Sequence, residues 1–149
     1  MKKILFSIIS LLFLVLFSFF FLFGLCEING DSMNPKLNNG DIVIYSKKYF
    51  ALDRFDIIFF EYENSIYVKR IVGMPGEKLS IINNEVYING QKIDENIELM
   101  PYRFTEDFEV IIPDNSYFLL GDNRDVSVDS RMIGNIEKMK IIGEFIISL

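Results

Sequence analysis

The chain has no histidine and only one cysteine, Cys26. Without histidine there is no Ser-His-Asp triad and no His-ligated metal site. A single cysteine forms no intramolecular disulfide, so packing alone must hold the core. No basic residue flanks Cys26 to activate it as a nucleophile. Positive charge is also scarce. Lys and Arg number 15 against 21 Asp and Glu, for a net charge of −6. The balance is more negative still once Lys2 and Lys3 are set aside. Nucleic acid is therefore not an expected partner, since phosphate binding needs clustered Lys and Arg. The chain also lacks internal repeats and low-complexity linkers. If it breaks bonds with a nucleophile, lysine is the base that remains.

Long apolar sequence is abundant. Residues 4–25 contain no charge and are mostly Leu, Phe, Ile and Val. About 20 such residues, at 1.5 Å each, span a hydrocarbon core of roughly 30 Å. Ser7, Ser10 and Ser18 are tolerable there because a helical serine bonds back to its own backbone. Lys2 and Lys3 precede the run, and Glu27 and Asp31 follow it. The positive-inside rule then places the N-terminus, residues 1–3, in the cytoplasm and residues 27–149 outside. The run ends Leu22-Phe23-Gly24-Leu25-Cys26, without the small-x-small pattern of a cleaved signal. Leu25 is also a poor residue to precede a lipid-modified cysteine. The expectation is an uncleaved transmembrane signal anchor over 4–25, in the cell membrane, rather than a removed signal.

The outer region reads as strands. Residues 41–45, 56–62 and 65–73 are rich in β-branched and aromatic residues and bounded by turn formers. Residues 79–82 and 85–88, separated by Asn83-Asn84, read as a hairpin. Further strands are expected at 110–113, 117–120 and 140–147. Residues 91–109 are acidic and aperiodic, and read as a surface excursion. The fold class expected is mostly β: one transmembrane helix and one antiparallel β domain over 27–149.

Three segments can carry chemistry. Ser32 lies in the turn-rich stretch Asn29-Gly30-Asp31-Ser32-Met33-Asn34-Pro35. A serine in such a turn can present its hydroxyl and its own N–H at one point, giving a nucleophile and an oxyanion donor. Taken alone, it is an ordinary loop serine. Lys69 alternates with Tyr67 and Ile71 on a strand reading. If that face is buried, desolvation lowers the lysine pKa. Reaching half neutrality near pH 8 from about 10.4 costs about 3 kcal/mol. Taken alone, Lys69 is more simply a solvated strand lysine. Residues 121–131 pack Asp122, Asn123, Arg124, Asp125, Ser127, Asp129, Ser130 and Arg131 into one polar turn. A lysine base needs an orienter that does not fix it as an ion, so a hydroxyl, Ser127 or Ser130, suits better than a carboxylate. Asp129 and Arg131 can pair to hold the loop.

Together these segments resemble the type I signal peptidase family of membrane-bound Ser-Lys endopeptidases. Gly30-Asp31-Ser32-Met33-Asn34-Pro35 resembles the nucleophile motif, and Gly40-Asp41-Ile42-Val43 the strand motif after it. Residues 67–76 resemble the general-base motif. Gly121-Asp122-Asn123-Arg124, with Ser127, Asp129-Ser130-Arg131 and Gly134, resembles the last motif. All four occur in the family's order behind the same kind of anchor. The resemblance implies Ser32 as nucleophile and Lys69 as base, with Ser127 orienting the lysine. It implies an Asp129–Arg131 ion pair beside the site, and Asp122 and Asn123 as residues that shape it. Ile28, Met33, Leu37, Val43, Tyr67 and Val68 fall where pocket walls for small side chains are expected. The implied substrates are signal peptides of exported preproteins, bound by strand addition. No cofactor or metal is implied.

The match departs from the family at three places. Lys36 stands where many members have threonine, which puts a charge near the site. Gly30 replaces a hydroxyl found in some members, a pattern resembling the Gram-positive branch, and Glu77 replaces an aspartate. The domain resembles the minimal, short form. Phe50, Phe55, Phe59 and Phe60 are candidates for resting on lipid. Two other readings fit the residues: a pilin or conjugation-protein peptidase of the same chemistry, and a catalytically silent anchored β domain. A self-cleaving repressor-type protease would need a DNA-binding helical segment, and the only helix expected here is the membrane one.

Overall fold

The computed structural model describes residues 2–49, 51–100 and 107–149. Phe50, and Glu106 of the acidic stretch, lie outside the described residues. Helix α1 runs Lys2–Leu22 and is long and apolar enough to cross a membrane. At about 1.5 Å per residue its 21 residues measure about 31 Å. The apolar run does not remain helical to Leu25, as expected above. Phe23–Glu27 is strand β1, paired in register with β2 (Ile42–Ser46) from Phe23↔Ser46 to Glu27↔Ile42. Gly24 permits this. A Cβ there would stand 2.1 Å from the Tyr45 ring, which packs across the glycine. Lys47 closes the helix end: its N–H donates to the Leu22 carbonyl at 2.8 Å and its Nζ to the Phe20 carbonyl at 3.0 Å. These are the carbonyls that a helix C-terminus leaves unpaired.

The remaining strands are β3 (Ile57–Tyr62), β4 (Ser65–Gly73), β5 (Lys78–Ile82), β6 (Glu85–Ile88), β7 (Gln91–Lys92), β8 (Phe108–Ile111), β9 (Ser116–Leu120), β10 (Ile136–Glu137) and β11 (Ile141–Ser148). A single helical turn, α2 (Ser130–Ile133), lies between β9 and β10. One sheet has the order β1-β2-β11-β3-β4-β9-β10, the other β7-β6-β5-β8, and every pairing is antiparallel. The two-residue turns Glu63-Asn64 and Asn83-Asn84 have positive φ at both positions. That backbone twist matches the flanking strands of a tight hairpin.

Alternation along the strands divides the core, since successive side chains point to opposite faces. Ile58 and Phe60 of β3 join Ile71 and Leu119 in one cluster, whereas Ile57 and Phe59 join Ile28, Met33, Leu37 and Val43 in another. The small sheet supplies Leu79, Ile81, Val86 and Ile88 to a third, with Val72, Phe118 and Leu120 from the large sheet. Phe59 and Phe60 are thus core residues with essentially no exposed surface, not lipid contacts. The acidic stretch is not wholly a surface excursion either. Its ends form β7 and β8, and Glu95 reaches into the protein to pair with Arg124.

Candidate active site

β4 delivers Lys69. It stands between Tyr67 and Ile71 along the strand, opposite Ile58 of β3. Both neighbours belong to the first core cluster, and Lys69 is only 3% exposed. Burial pushes its pKa down from 10.5 to about 8, while the carboxylates of Asp129 and Asp122 oppose that shift. The Lys69 ammonium carries too little hydration to be stable at its ordinary pKa. Its Nζ donates to Ser32 Oγ at 2.8 Å and to the Val68 carbonyl at 2.8 Å.

Ser32 sits in a turn held from both ends. Gly30, at φ +95°, donates its N–H to Asn39 Oδ1 at 2.8 Å. Asn34 N–H bonds the Asp31 carbonyl at 3.2 Å, and Leu37 N–H bonds the Met33 carbonyl at 2.9 Å. Met33 and Leu37 are the anchors of this turn. Both are fully buried, with Ile28 and Val43, in the core cluster behind it.

The 121–131 loop closes over the pair. Asn123 donates its N–H to the Ser32 carbonyl at 3.0 Å. Gly121 fits tightly: a Cβ there would meet Ser127 Oγ at 2.3 Å and the Ser32 carbonyl oxygen at 2.5 Å. Asp129 is fully buried. It accepts from Gly121 N–H at 3.0 Å and caps α2 through Arg131 N–H. It also takes Arg131 Nε and Nη2, each at 2.8 Å. Asp122 holds Arg70 in a two-pronged bond of 2.8 and 2.5 Å, and Arg70 also donates to the Phe55 carbonyl. A charge pair this buried is stable because both partners are hydrogen-bonded.

A groove of about 680 Å³ opens onto the pair. Cys26 to Ser32 line one side, Asn64, Val126 and Val128 join residues 66–69 on the other, and Phe59 contributes from the core. β9 pairs only with Arg70–Gly73 of β4, so among the described residues Ser65–Lys69 are paired on the β3 side alone. An unpaired edge of this kind can accept an added strand.

The structure brings together Ser32, Lys69, Ser127, Asp129, Arg131, Asp122 and Asn123, but it changes several assignments. Ser127 makes no hydrogen bond to Lys69, and its buried Oγ has no partner. Besides Ser32, the neutral acceptor that Lys69 Nζ bonds is the Val68 carbonyl. Ser130 is occupied elsewhere, accepting the Leu119 N–H at 2.9 Å. Of the expected pocket residues, Ile28, Tyr67 and Val68 line the groove. Met33, Leu37 and Val43 do not, because the turn and β2 direct them into the core. Lys36 lies over the Phe145 ring, 5.8 Å from its centroid, and is not among the groove-lining residues. Glu77 takes a bidentate bond from Arg54 at 2.6 and 3.0 Å and accepts the Met74 N–H. The pairings of Arg70 and of Arg124 were not read from the sequence. Their partners lie 52 and 29 residues away, and no local pattern marks them.

Comparison with known proteins shows the family. The family model described as "Signal peptidase, peptidase S26" matches residues 1–149. Signal peptidase I S of Bacillus subtilis (strain 168) is 39% identical over 142 residues, covering 83% of this chain and 74% of the relative. Signal peptidase IB of Staphylococcus aureus (strain N315) is 36% identical over 138 residues, covering 78% and 72%. The crystal structure of a signal peptidase I from Enterococcus faecalis V583 is similar with a TM-score of 0.57 at 30% identity, covering 65% of this chain and 98% of that one. Ordered motifs, a shared fold and a match along the whole chain lead to one conclusion: this protein belongs to the type I signal peptidases, the serine peptidases of family S26.

Proposed function

We propose that the protein cleaves signal peptides from exported preproteins at the membrane surface, with Ser32 as nucleophile and neutral Lys69 as general base. The observation that carries this reading is the 2.8 Å contact between Lys69 Nζ and Ser32 Oγ, made by a lysine that burial has moved to a pKa of about 8. When Lys69 is neutral, the same contact has the serine O–H donating to the amine lone pair. The amine takes that proton as Oγ attacks the scissile carbonyl. The resulting ammonium returns the proton to the departing amine, leaving an acyl-serine. Water, deprotonated by the same amine, then releases the acid. The Ser32 N–H is the nearby donor for the oxyanion, and Gly30 offers no hydroxyl to assist it.

The residues before the cut add as a strand along the free edge of β4, with Ile28, Tyr67 and Val68 bounding the space for small side chains. Asp129, Arg131 and Asp122 hold the loop that covers the pair, and Asn123 fixes the nucleophile's peptide. Ser127 supplies a buried neutral oxygen beside Gly121 that can take a further Lys69 N–H as the site tightens around substrate. Helix α1 anchors the domain. Lys2 and Lys3 lie on the cytoplasmic side, and the groove lies outside.

One preprotein-cleavage assay with wild type, Ser32→Ala and Lys69→Ala tests the reading. Both variants should lose at least about a thousandfold in kcat/KM, as removal of a nucleophile or its base does. Wild-type activity in either variant would remove the dyad.

A further inference from the structure

The small sheet sends one segment across to the catalytic loop. Between β7 and Met100, Glu95 turns inward and takes both terminal nitrogens of Arg124, one bond measuring 3.1 Å. The side chains are 3% exposed for Arg124 and 11% for Glu95, so water does little to weaken this pair. Arg124 Nε in turn donates to the Gly121 carbonyl at 3.0 Å, and the Arg124 carbonyl accepts Arg131 Nη2 at 2.7 Å. Five residues further along the same segment, Met100 N–H bonds the Asp122 carbonyl at 3.2 Å. Two links therefore join residues 95–100 to residues 121–124. Of those four residues, Gly121 and Asn123 lie against the Ser32 carbonyl, and Asp122 carries one of the two carboxylates that face Lys69.

We infer that Glu95 is a positioning residue of the active site: through Arg124 it fastens the 121–131 loop onto the nucleophile's peptide and keeps water from the lysine. This rests on the Ser-Lys reading above and extends it to a segment outside the family motifs read from the sequence. The charged groups facing Lys69 are Asp122, held by Arg70, and Asp129, held by Arg131. Those lining the surface pocket beside Glu95 are Asp94, Lys92 and Glu85, the last two paired at 2.5 Å. None of them replaces Glu95 on Arg124, because Lys92 is cationic and already paired to Glu85, and Asp94 is exposed. With the strap released, the loop loosens and water reaches the amine. Hydration favours the ammonium, so the lysine titrates higher and less of it is neutral at pH 7.

The test is the pH profile of kcat/KM on a preprotein, using the full chain in detergent micelles. Glu95→Gln should raise the midpoint by about 0.7 unit, which lowers the rate about fivefold at pH 7 and leaves it within about twofold at pH 9.5. Glu95→Asp should shift in the same direction by less. Arg124→Gln should behave like Glu95→Gln, and the double variant should be no worse than the worse single. A midpoint that stays at the wild-type value in folded Glu95→Gln overturns the inference. So does an unmoved midpoint in Glu95→Asp, should the glutamine variant not fold. The wild-type profile and Ser32→Ala are run alongside. If they behave as proposed and Glu95 variants do not, the strap fails and the dyad stands; if wild type shows no midpoint, the dyad itself fails.

Discussion

Raising the pH from 6.5 to 9.5 titrates Lys69 through the value that burial has set for it. With a pKa of about 8, about 9% of the lysine is neutral at pH 7 and about 91% at pH 9. Cleavage at subsaturating substrate should therefore rise about tenfold between those values, with unit slope below the midpoint and a plateau above it. The position of the midpoint is the informative quantity. A solvated lysine titrating at 10.5 would be about 3% neutral at pH 9, and its rate would still be climbing tenfold per unit there. Desolvation and the carboxylates act in opposite directions, and desolvation wins. Asp122 and Asp129 each spend much of their charge on a guanidinium, so they offset only part of the desolvation of Lys69. The assay is single-turnover cleavage of a labelled preprotein in micelles, so that product release does not mask the chemical step. A rate flat across the range, or a midpoint near 10.5, would refute the argument that burial prepares the base.

Three further outcomes are expected. Lys69 binds fewer protons folded than unfolded between about pH 8 and 10.5, so wild-type stability should rise with pH across that window. Lys69→Met should accordingly be inactive yet about 2 kcal/mol more stable at pH 7, the gain fading above about pH 10, by denaturant unfolding; a less stable variant at pH 7 would contradict this. Gly121→Ala puts a methyl into the space of Ser127 and the Ser32 carbonyl, and should cost about 1–3 kcal/mol and about a hundredfold in kcat with little change in KM. Normal kcat in that variant would show that the loop does not press on the nucleophile. Asp122→Ala leaves Arg70 buried and unpaired and should cost about 3–5 kcal/mol, most of it recovered in Arg70→Met/Asp122→Leu. Additive losses in the double variant would deny the coupling.

Local features were legible wherever chemistry repeats over a few residues. β4 spans the same residues, Ser65–Gly73, that alternation and its bounding turns indicate. The hairpin turns at Glu63-Asn64 and Asn83-Asn84 are those that polar pairs between apolar runs suggest. Motif order pointed to Ser32 and Lys69 together, where neither residue alone did, and the fold sets their side chains 2.8 Å apart. What hydropathy could not resolve was the end of α1. Phe23, Gly24 and Leu25 are as apolar as the helix, and only pairing with β2 makes them a strand. Nor could it separate the groove wall from the core behind it: Val43 and Val68 are the same residue type, and tertiary packing alone buries the first. The ion pairs of Arg70 and Arg124 depend on the fold having already brought distant loops together.

The junction of α1 with β1 has a consequence for how this enzyme meets its substrate. A flexible tether of ten residues would let the catalytic domain wander about 17 Å and turn freely. Here Leu22 is followed directly by a paired strand, and Lys47 bonds across the joint. The pairing and these bonds restrict how far the domain can turn about the helix end. On the proposed reading, with α1 in a bilayer, the groove stays within a narrow range of heights above the lipid, where membrane-held substrates would meet it. Encounter becomes a two-dimensional search whose local concentration is set by lateral density rather than by binding strength. The groove at Ser32 and Lys69 can then be selective through where a peptide is held as well as through its side chains.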